Sequence, residues 1–137
     1  MELHHIGCLV ENIPEAISEY KKLYSNNLES TNPIKIETQK VSVCFLKIAN
    51  SVSLELVEPF PDNRTLLKLL KKGTSYYHLG YLTPNFKEES IRLISEGYKK
   101  LPDFKSEAFN FCLCAFFVNS LGHLIELIEQ PPEGKSL

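Results

Sequence analysis

The chain has 137 residues and a mass of 15.6 kDa, the size of one domain with its own hydrophobic core. Its net charge of −2 and isoelectric point near 6.1 argue against binding to nucleic acid or to an anionic membrane surface. No apolar run is long enough to span a membrane, and the first residues lack the features of a signal peptide. We therefore expect a cytoplasmic protein.

The first half of the chain predicts one strand, one helix and three further strands. An apolar run over residues 3–10 favours a strand, and Asn12 followed by Glu15 is typical of a helix N-terminus. This helix is predicted to end at about Ser25. Three runs rich in β-branched residues predict a three-strand meander over residues 34–38, 41–49 and 52–58. The order of the first half is therefore βαβββ.

The second half repeats this order after a linking helix over residues 65–72, which ends at Gly73. A strand over 76–83 and a helix capped by Asn85 and Glu88 follow. Three more strands are predicted over 98–104, 111–119 and 124–129. We expect one domain, 1–137, with module 1 at about 3–60, the linker helix at about 64–73 and module 2 at about 76–130. The polar end after Pro131 is expected to fray.

The two halves are related by sequence as well as by element order. Residues 5–15 and 78–88 share His, Gly, Leu, Asn and Glu at identical offsets, and residues 54–59 are echoed by 125–131. Each βαβββ unit has a helix on one face of its sheet and an open face that needs a partner. The sequence therefore predicts an α+β fold of two βαβββ modules in a pseudo-two-fold arrangement. Together they are expected to form one curved eight-stranded mixed sheet, with helices outside and a metal-binding cleft inside.

One histidine and one glutamate occupy equivalent strand positions in each half. Residues two apart on a strand share a face, so each pair can converge on the floor of the cleft. Imidazole suits Ni, Co and Zn, carboxylate suits harder ions such as Mn and Mg, and four protein ligands leave room for a substrate's oxygens. We therefore predict a site for a divalent metal ion, with Ni, Co or Zn favoured and Mn or Mg as alternatives. Its predicted ligands are His5, Glu55, His78 and Glu126.

The other histidines, acids and cysteines of the strands have a structural interpretation. His4 falls on the opposite face and His123 in a turn, and neither has a counterpart in the repeat. Glu58 and Glu129 are expected on a solvated face. The cysteines lie in apolar runs without a C-x-x-C pair, so we expect free thiols in the core. They are Cys8, Cys44, Cys112 and Cys114.

These motifs resemble the vicinal oxygen chelate superfamily, which contains glyoxalase I, methylmalonyl-CoA epimerase and the bleomycin-resistance proteins. The resemblance extends over residues 3–130 and is strongest in residues 4–7, 54–59, 72–79 and 122–127. It is closest to the glyoxalase I and methylmalonyl-CoA epimerase branch, whose four ligands arise in the order His, Glu or Gln, His, Glu. Carried over by position, they are the same four residues that the repeat selects.

The resemblance implies proton transfer next to a carbonyl through a metal-bound enediolate or enolate, as in a glyoxalase I-like lyase or isomerase (lactoylglutathione lyase-like). A ligand glutamate would then also be the base, with Glu126 as first choice and Glu55 as second. The implied substrate is a small thiol adduct or thioester. The resemblance also implies a homodimer.

Other functions stay open at this point. Some epimerases of the family carry an additional glutamate near position 43, and the strand over 41–49 contains no acid. A methylmalonyl-CoA epimerase-like isomerase acting on an acyl-CoA thioester is therefore the alternative. A non-catalytic drug-binding protein of the bleomycin-resistance type would use the cleft without metal, and the intact ligand set argues against it. Extradiol dioxygenase chemistry needs an open iron position, which Glu55 would occupy.

Overall fold

The computed structural model describes residues 1–131, and within them the chain forms nine strands and three α-helices. The first half contains β1 (Glu2–Leu9), α1 (Ile13–Leu23), β2 (Ile34–Ile36), β3 (Val41–Lys47) and β4 (Ser53–Pro59), followed by α2 (Arg64–Lys71). The second half contains β5 (Tyr76–Thr83), α3 (Phe86–Ser95), β6 (Lys99–Lys100), β7 (Phe104–Ser106), β8 (Cys112–Val118) and β9 (Leu124–Glu129). The predicted α+β class with two βαβββ modules is confirmed. The predicted fraying of the chain end lies outside the described residues.

One predicted strand, over residues 98–104, is wrong because two short strands, β6 and β7, take its place. Pro102 lies between them, and proline has no N–H to donate to a neighbouring strand. A side-chain bond from Lys100 to Asp103 spans the break. A 3-10 turn over Glu107–Phe109, which the sequence did not predict, follows β7. Both short strands pair with β8, so the break affects only the edge of the sheet.

Residues His5–Tyr77 form one compact unit. Its strands lie in the order β2-β3-β4-β1, with β1 parallel to β4 and the other neighbours antiparallel. The helix α1 covers one face of this sheet. The core beneath it consists of Cys8, Ile13, Cys44, Leu46, Leu54 and Leu56. The opposite face carries His5 and Glu55.

Met1–His4 together with the chain from His78 onward form the second compact unit. Its strands lie in the order β5-β9-β8-β6, β7 also pairs with β8, and β5 is parallel to β9. The helix α3 packs on one face over a core of Phe86, Leu93, Ala115, Phe117 and Leu127. The opposite face carries His78 and Glu126. The same pairing pattern therefore occurs in both units.

An asparagine side chain begins each of the three helices. The Oδ1 atoms of Asn12, Asn63 and Asn85 accept hydrogen bonds from backbone N–H groups three residues later, at 2.9, 3.2 and 3.3 Å. The caps predicted at positions 12 and 85 are thus confirmed. Each side chain accepts a hydrogen bond from an N–H group of the first helical turn that has no acceptor within the helix. Within the described residues, no helix is both long and apolar enough to cross a membrane.

The cysteines are free thiols, as predicted. Cys8, Cys44 and Cys114 are buried, whereas Cys112 is half-buried. Burial raises the pKa of the Cys8 and Cys44 thiols. Since the thiolate is the reactive form of cysteine, this environment favours a structural role for both side chains.

Candidate functional site

In the first unit, His5 and Glu55 lie side by side on the face of the sheet that α1 leaves uncovered. The parallel register of β1 and β4 places Ser53 beside His5 and Gly7 beside Glu55. The Nε2 atom of His5 lies 3.5 Å from Oε1 of Glu55. The two residues are 0% and 3% exposed. The pair that the sequence predicts for this half is therefore assembled and buried.

The second unit contains the same arrangement on β5 and β9. The Nε2 atom of His78 lies 3.3 Å from Oε1 of Glu126. The two residues are 6% and 4% exposed. Gly80 lies beside Glu126 in the parallel register, as Gly7 does beside Glu55 in the first unit. The second predicted pair is therefore also assembled and buried.

The strand register explains why glycine occupies both positions. Directly opposite residues on neighbouring strands share a face, so a side chain at Gly7 or Gly80 would project beside the glutamate. Glycine places no side chain beside the carboxylate in either unit.

An aromatic ring packs against each histidine, and sequence reasoning missed both rings. Phe45 contacts His5 edge to face, with ring centroids 5.8 Å apart, and Phe116 contacts His78 in the same way at 5.3 Å. The antiparallel register places each phenylalanine directly opposite the glutamate of its own pair. Both precede that glutamate by ten residues, so the repeat contained the signal. The rings fix the imidazole orientation and supply an apolar wall.

The geometry of each pair fits a shared metal ion better than a hydrogen bond. Separations of 3.3 and 3.5 Å are longer than a good N–H···O bond. Two ligand atoms that are each about 2.1 Å from one ion lie about 3.0 Å apart at a right angle and about 3.4 Å apart at the tetrahedral angle. Imidazole nitrogen with carboxylate oxygen is also a donor set of divalent transition metals. Each pair can therefore supply two ligands to an ion.

The residues that the sequence analysis excluded from the site have other surroundings, and the prediction for one of them, Glu58, needs correction. The His4 ring packs against Phe109, with centroids 5.5 Å apart, and His123 is exposed in the turn between β8 and β9. Glu129 is exposed, as predicted. The expectation of a solvated Glu58 is wrong, because its Oε1 accepts a 2.8 Å hydrogen bond from the Ile13 N–H. A carboxylate at the positive N-terminal end of a helix is stabilised there, and this one holds α1 to β4.

The strand next to the first pair has no acidic side chain. Val41 and Val43 precede Phe45 on the same face of β3, and both are buried. The position at which some epimerases of the family have an additional glutamate is thus occupied by an apolar side chain. Among the residues of β3 and β4 on this face, Glu55 is the only acidic one.

The family model described as Glyoxalase/Bleomycin resistance protein/Dioxygenase superfamily matches residues 4–116. No curated protein matches. Among solved structures, a hypothetical protein from Bacillus halodurans C-125 is similar, with 21% identity, a TM-score of 0.83 and 98% coverage of both chains.

Two further similar structures are methylmalonyl-CoA epimerases. The enzyme from Mycobacterium tuberculosis has 21% identity and a TM-score of 0.81, with 96% of this chain and 89% of that chain covered. An epimerase in complex with methylmalonyl-CoA and NH4+ has 22% identity and a TM-score of 0.81, with 99% and 98% covered. At these identities the likeness is one of fold.

Proposed function

Because the chain belongs to the glyoxalase/bleomycin resistance protein/dioxygenase (vicinal oxygen chelate) superfamily, we propose that it is a divalent-metal-dependent enzyme that moves a proton next to a carbonyl group. The first candidate reaction is that of a glyoxalase I-like lyase or isomerase acting on a thiol adduct. The observation that carries this proposal is the buried His–Glu pair, which occurs once in each unit with the same register and the same aromatic neighbour.

We infer that both pairs hold one ion. A single pair supplies only two ligands, whereas metal sites in proteins have three or four protein ligands. All four residues are buried, and each offers one ligand atom. A shared cation also offsets the cost of burying two carboxylates among apolar side chains. The proposed ligands are His5, Glu55, His78 and Glu126, and the proposed ions are Ni, Co or Zn before Mn or Mg.

A bound divalent cation would stabilise the negative charge that develops on the substrate's carbonyl oxygen. Glu126 takes the proton from the carbon next to the carbonyl onto a carboxylate oxygen, while the electrons of the C–H bond shift towards the carbonyl oxygen. The same carboxylate then returns the proton to the former carbonyl carbon, while the hydroxyl proton of the adjacent carbon moves to the former carbonyl oxygen, so that a hydroxyacyl thioester results. Glu55 is the second candidate for this role because it has the equivalent position in the other half. Phe45 and Phe116 keep the imidazoles oriented and exclude water from one side.

The second candidate function is epimerisation of an acyl-CoA thioester, in which the proton returns to the same carbon from its other side. The fold likeness to methylmalonyl-CoA epimerases favours it, and one of those structures holds methylmalonyl-CoA. Two acid–base groups are needed for this reaction. Since Val43 supplies none on β3, Glu55 would have to serve beside Glu126.

Proton transfer in heavy water distinguishes the two reactions. The metal-loaded protein is incubated with the hemithioacetal of glutathione and a 2-oxoaldehyde, and separately with methylmalonyl-CoA, and products are followed by NMR. We expect conversion of the hemithioacetal to a hydroxyacyl thioester. Deuterium incorporation at carbon 2 of methylmalonyl-CoA without hemithioacetal turnover would instead establish the epimerase.

Variants of neighbouring acids on β9 identify the base. Glu126→Gln keeps the shape of the side chain but removes the proton acceptor, so the rate should fall by about 10²- to 10⁴-fold. Glu129→Gln, on the same strand but exposed, should leave the rate unchanged. If Glu126→Gln keeps full activity while Glu55→Gln loses it, Glu55 is the base. Absence of turnover of both substrates by metal-loaded protein would contradict the proposal.

A further inference from the structure

A pocket lined by several polar residues lies next to Phe45 and Ser53, the neighbours of His5 in the first unit. Its volume is about 280 Å³, close to the lower end of small-ligand sites, which begin at about 300 Å³. Phe45, the ring that contacts His5, forms one wall. The polar lining includes Glu29, Thr31, Lys47, Ser51 and Ser53. Two of its lining residues, Phe45 and Ser53, are thus direct neighbours of His5.

The strand register places Lys47 and Ser53 in one row with His5. Ser53 lies directly beside His5 on the neighbouring strand, and Lys47 lies directly beside Ser53 on the next one. Directly opposite residues share a face, so all three project from the face that carries Glu55. Neighbouring strands are about 4.8 Å apart, which puts the main chain of Lys47 about 10 Å from that of His5. The flexible four-carbon stem of the lysine covers part of this distance.

Residues 29–31 form the outer wall of the pocket, and backbone hydrogen bonds hold them against β3. The Thr31 N–H donates to the Phe45 carbonyl at 3.0 Å, and the Lys47 N–H donates to the Glu29 carbonyl at 3.1 Å. The Thr31 hydroxyl accepts from the Phe45 N–H at 2.9 Å. The wall is thus fixed beside the lysine.

The charge of Lys47 is not neutralised by a salt bridge within residues 1–131, whereas Lys22, Lys40 and Lys100 each form one there. Glu29 is the acid of the pocket, and it lies on the far side of Lys47 from Ser53. An anion bound between Lys47 and Ser53 would therefore lie nearer to the ammonium group than to this carboxylate. The hydroxyl of Ser53 adds a donor on the side towards His5.

The second unit shows that the sheet itself does not require polar side chains at the positions of Lys47 and Ser53, which we call the polar row. The positions two residues after Phe116 and two before Glu126 are Val118 and Leu124, where the first unit has Lys47 and Ser53. Both rows have the same strand pairing. The two units thus share the ligands and the aromatic ring but differ in the row beside the histidine.

On these grounds we propose that Lys47 and Ser53 bind an anionic oxygen group, a carboxylate or a phosphate, on the substrate whose carbonyl group lies at His5 and Glu55. The inference rests on the function proposed above and names its substrate class. Because the row spans about 10 Å, the anionic group lies several bonds from the reacting carbon. A substrate without a negative charge at that distance would make no ionic contact with Lys47.

Chelating probes of increasing length test this inference. Monohydroxamates of succinic, glutaric and adipic acid are titrated calorimetrically into the Ni²⁺-loaded protein, beside analogues in which the free carboxylate is replaced by a carboxamide or a phosphonate. We expect the charged analogue of one length to bind about fivefold more tightly than its amide at low salt, as for a partly screened charged hydrogen bond. If the carboxylate analogue binds more tightly than the phosphonate, the preferred anionic group is a carboxylate. The opposite order indicates a phosphate.

Two lysine variants make the test specific. Lys47→Gln should abolish the preference for the charged analogue and leave amide binding unchanged. Lys35→Gln removes the same charge from β2, where Lys35 is exposed and lies on the opposite face from Lys47, so the preference should persist. Equal binding of charged and neutral analogues, or an equal loss in both variants, would overturn the role of Lys47 while leaving the metal site intact. Failure of every hydroxamate to bind, or binding without metal, would refute the proposed function and this inference with it.

Discussion

Metal binding should stabilise the folded chain, and replacing His5 should remove most of that gain. An ion that binds only the folded state contributes about 2.7 kcal/mol at a concentration one hundred times its dissociation constant. For a chain of this length, 1 kcal/mol corresponds to about 3 to 5 °C in melting temperature. The expected rise on adding Ni²⁺ or Zn²⁺ to chelator-treated protein is therefore about 10 °C.

His5→Ala deletes one of the four proposed ligands. Loss of groups that merely orient a ligand already costs 10- to 100-fold in affinity, so loss of a ligand should cost at least about 100-fold. At the same metal concentration the stabilisation then falls to about 0.4 kcal/mol, or about 2 °C. His4→Ala is the matched control, because His4 is the next residue on the same strand and its ring packs against Phe109.

Differential scanning calorimetry with and without metal measures both shifts, each against the variant's own chelator-treated baseline. Comparison within one variant separates metal binding from any loss of packing. Our reasoning would be refuted if His4→Ala lost the metal-dependent shift as fully as His5→Ala. A full shift in His5→Ala would equally exclude this residue from the ligands.

Three further expectations concern the surroundings of the site and the frame that holds it. Phe116→Leu should weaken metal binding about tenfold in competition with a chelator, because the ring orients His78, whereas Phe111→Leu, at an exposed ring, should not. Glu58→Gln should lower the urea-measured free energy of unfolding by about 0.5 to 1 kcal/mol, since it weakens the bond to the first N–H of α1. Burial is the main cause that raises the pKa of Tyr20 to about 12, so the folded state holds its proton after the unfolded chain has lost it above about pH 10. Stability should therefore fall between about pH 10 and pH 12, and by about 1 kcal/mol less in Tyr20→Phe after discounting for solvent screening.

Much of the fold and the two His–Glu pairs were predictable because the same sequence pattern occurs twice in the chain. Strand alternation separates His5 from His4, and the second copy shows that this choice is not accidental. The strand over residues 124–129 and the caps at Asn12 and Asn85 were likewise readable, since their signals are local. These features depend on neighbours in sequence or on direct repetition.

Other features depend on contacts that sequence spacing does not reveal. Glu58 alternates as a solvent-facing residue should, yet β4 ends beside the start of α1 and its carboxylate meets a helix terminus. The break between β6 and β7 coincides with Pro102, which has no N–H to donate to a neighbouring strand. Phe45 and Phe116 lie in apolar strand segments, and only the strand register shows that each lies opposite a glutamate.

The comparison of the two units separates what a metal requires from what a substrate requires. The proposed ion would make the same demand on both halves, and His, Gly, Phe and Glu occupy matching positions in each. A substrate with a reacting carbonyl and a remote anionic group is not symmetric, so its two ends need different walls. Lys47 and Ser53 of the first unit meet the need of the anionic end, whereas Val118 and Leu124 occupy the matching positions of the second unit. The charged end of the proposed substrate is therefore expected beside Lys47 and Ser53.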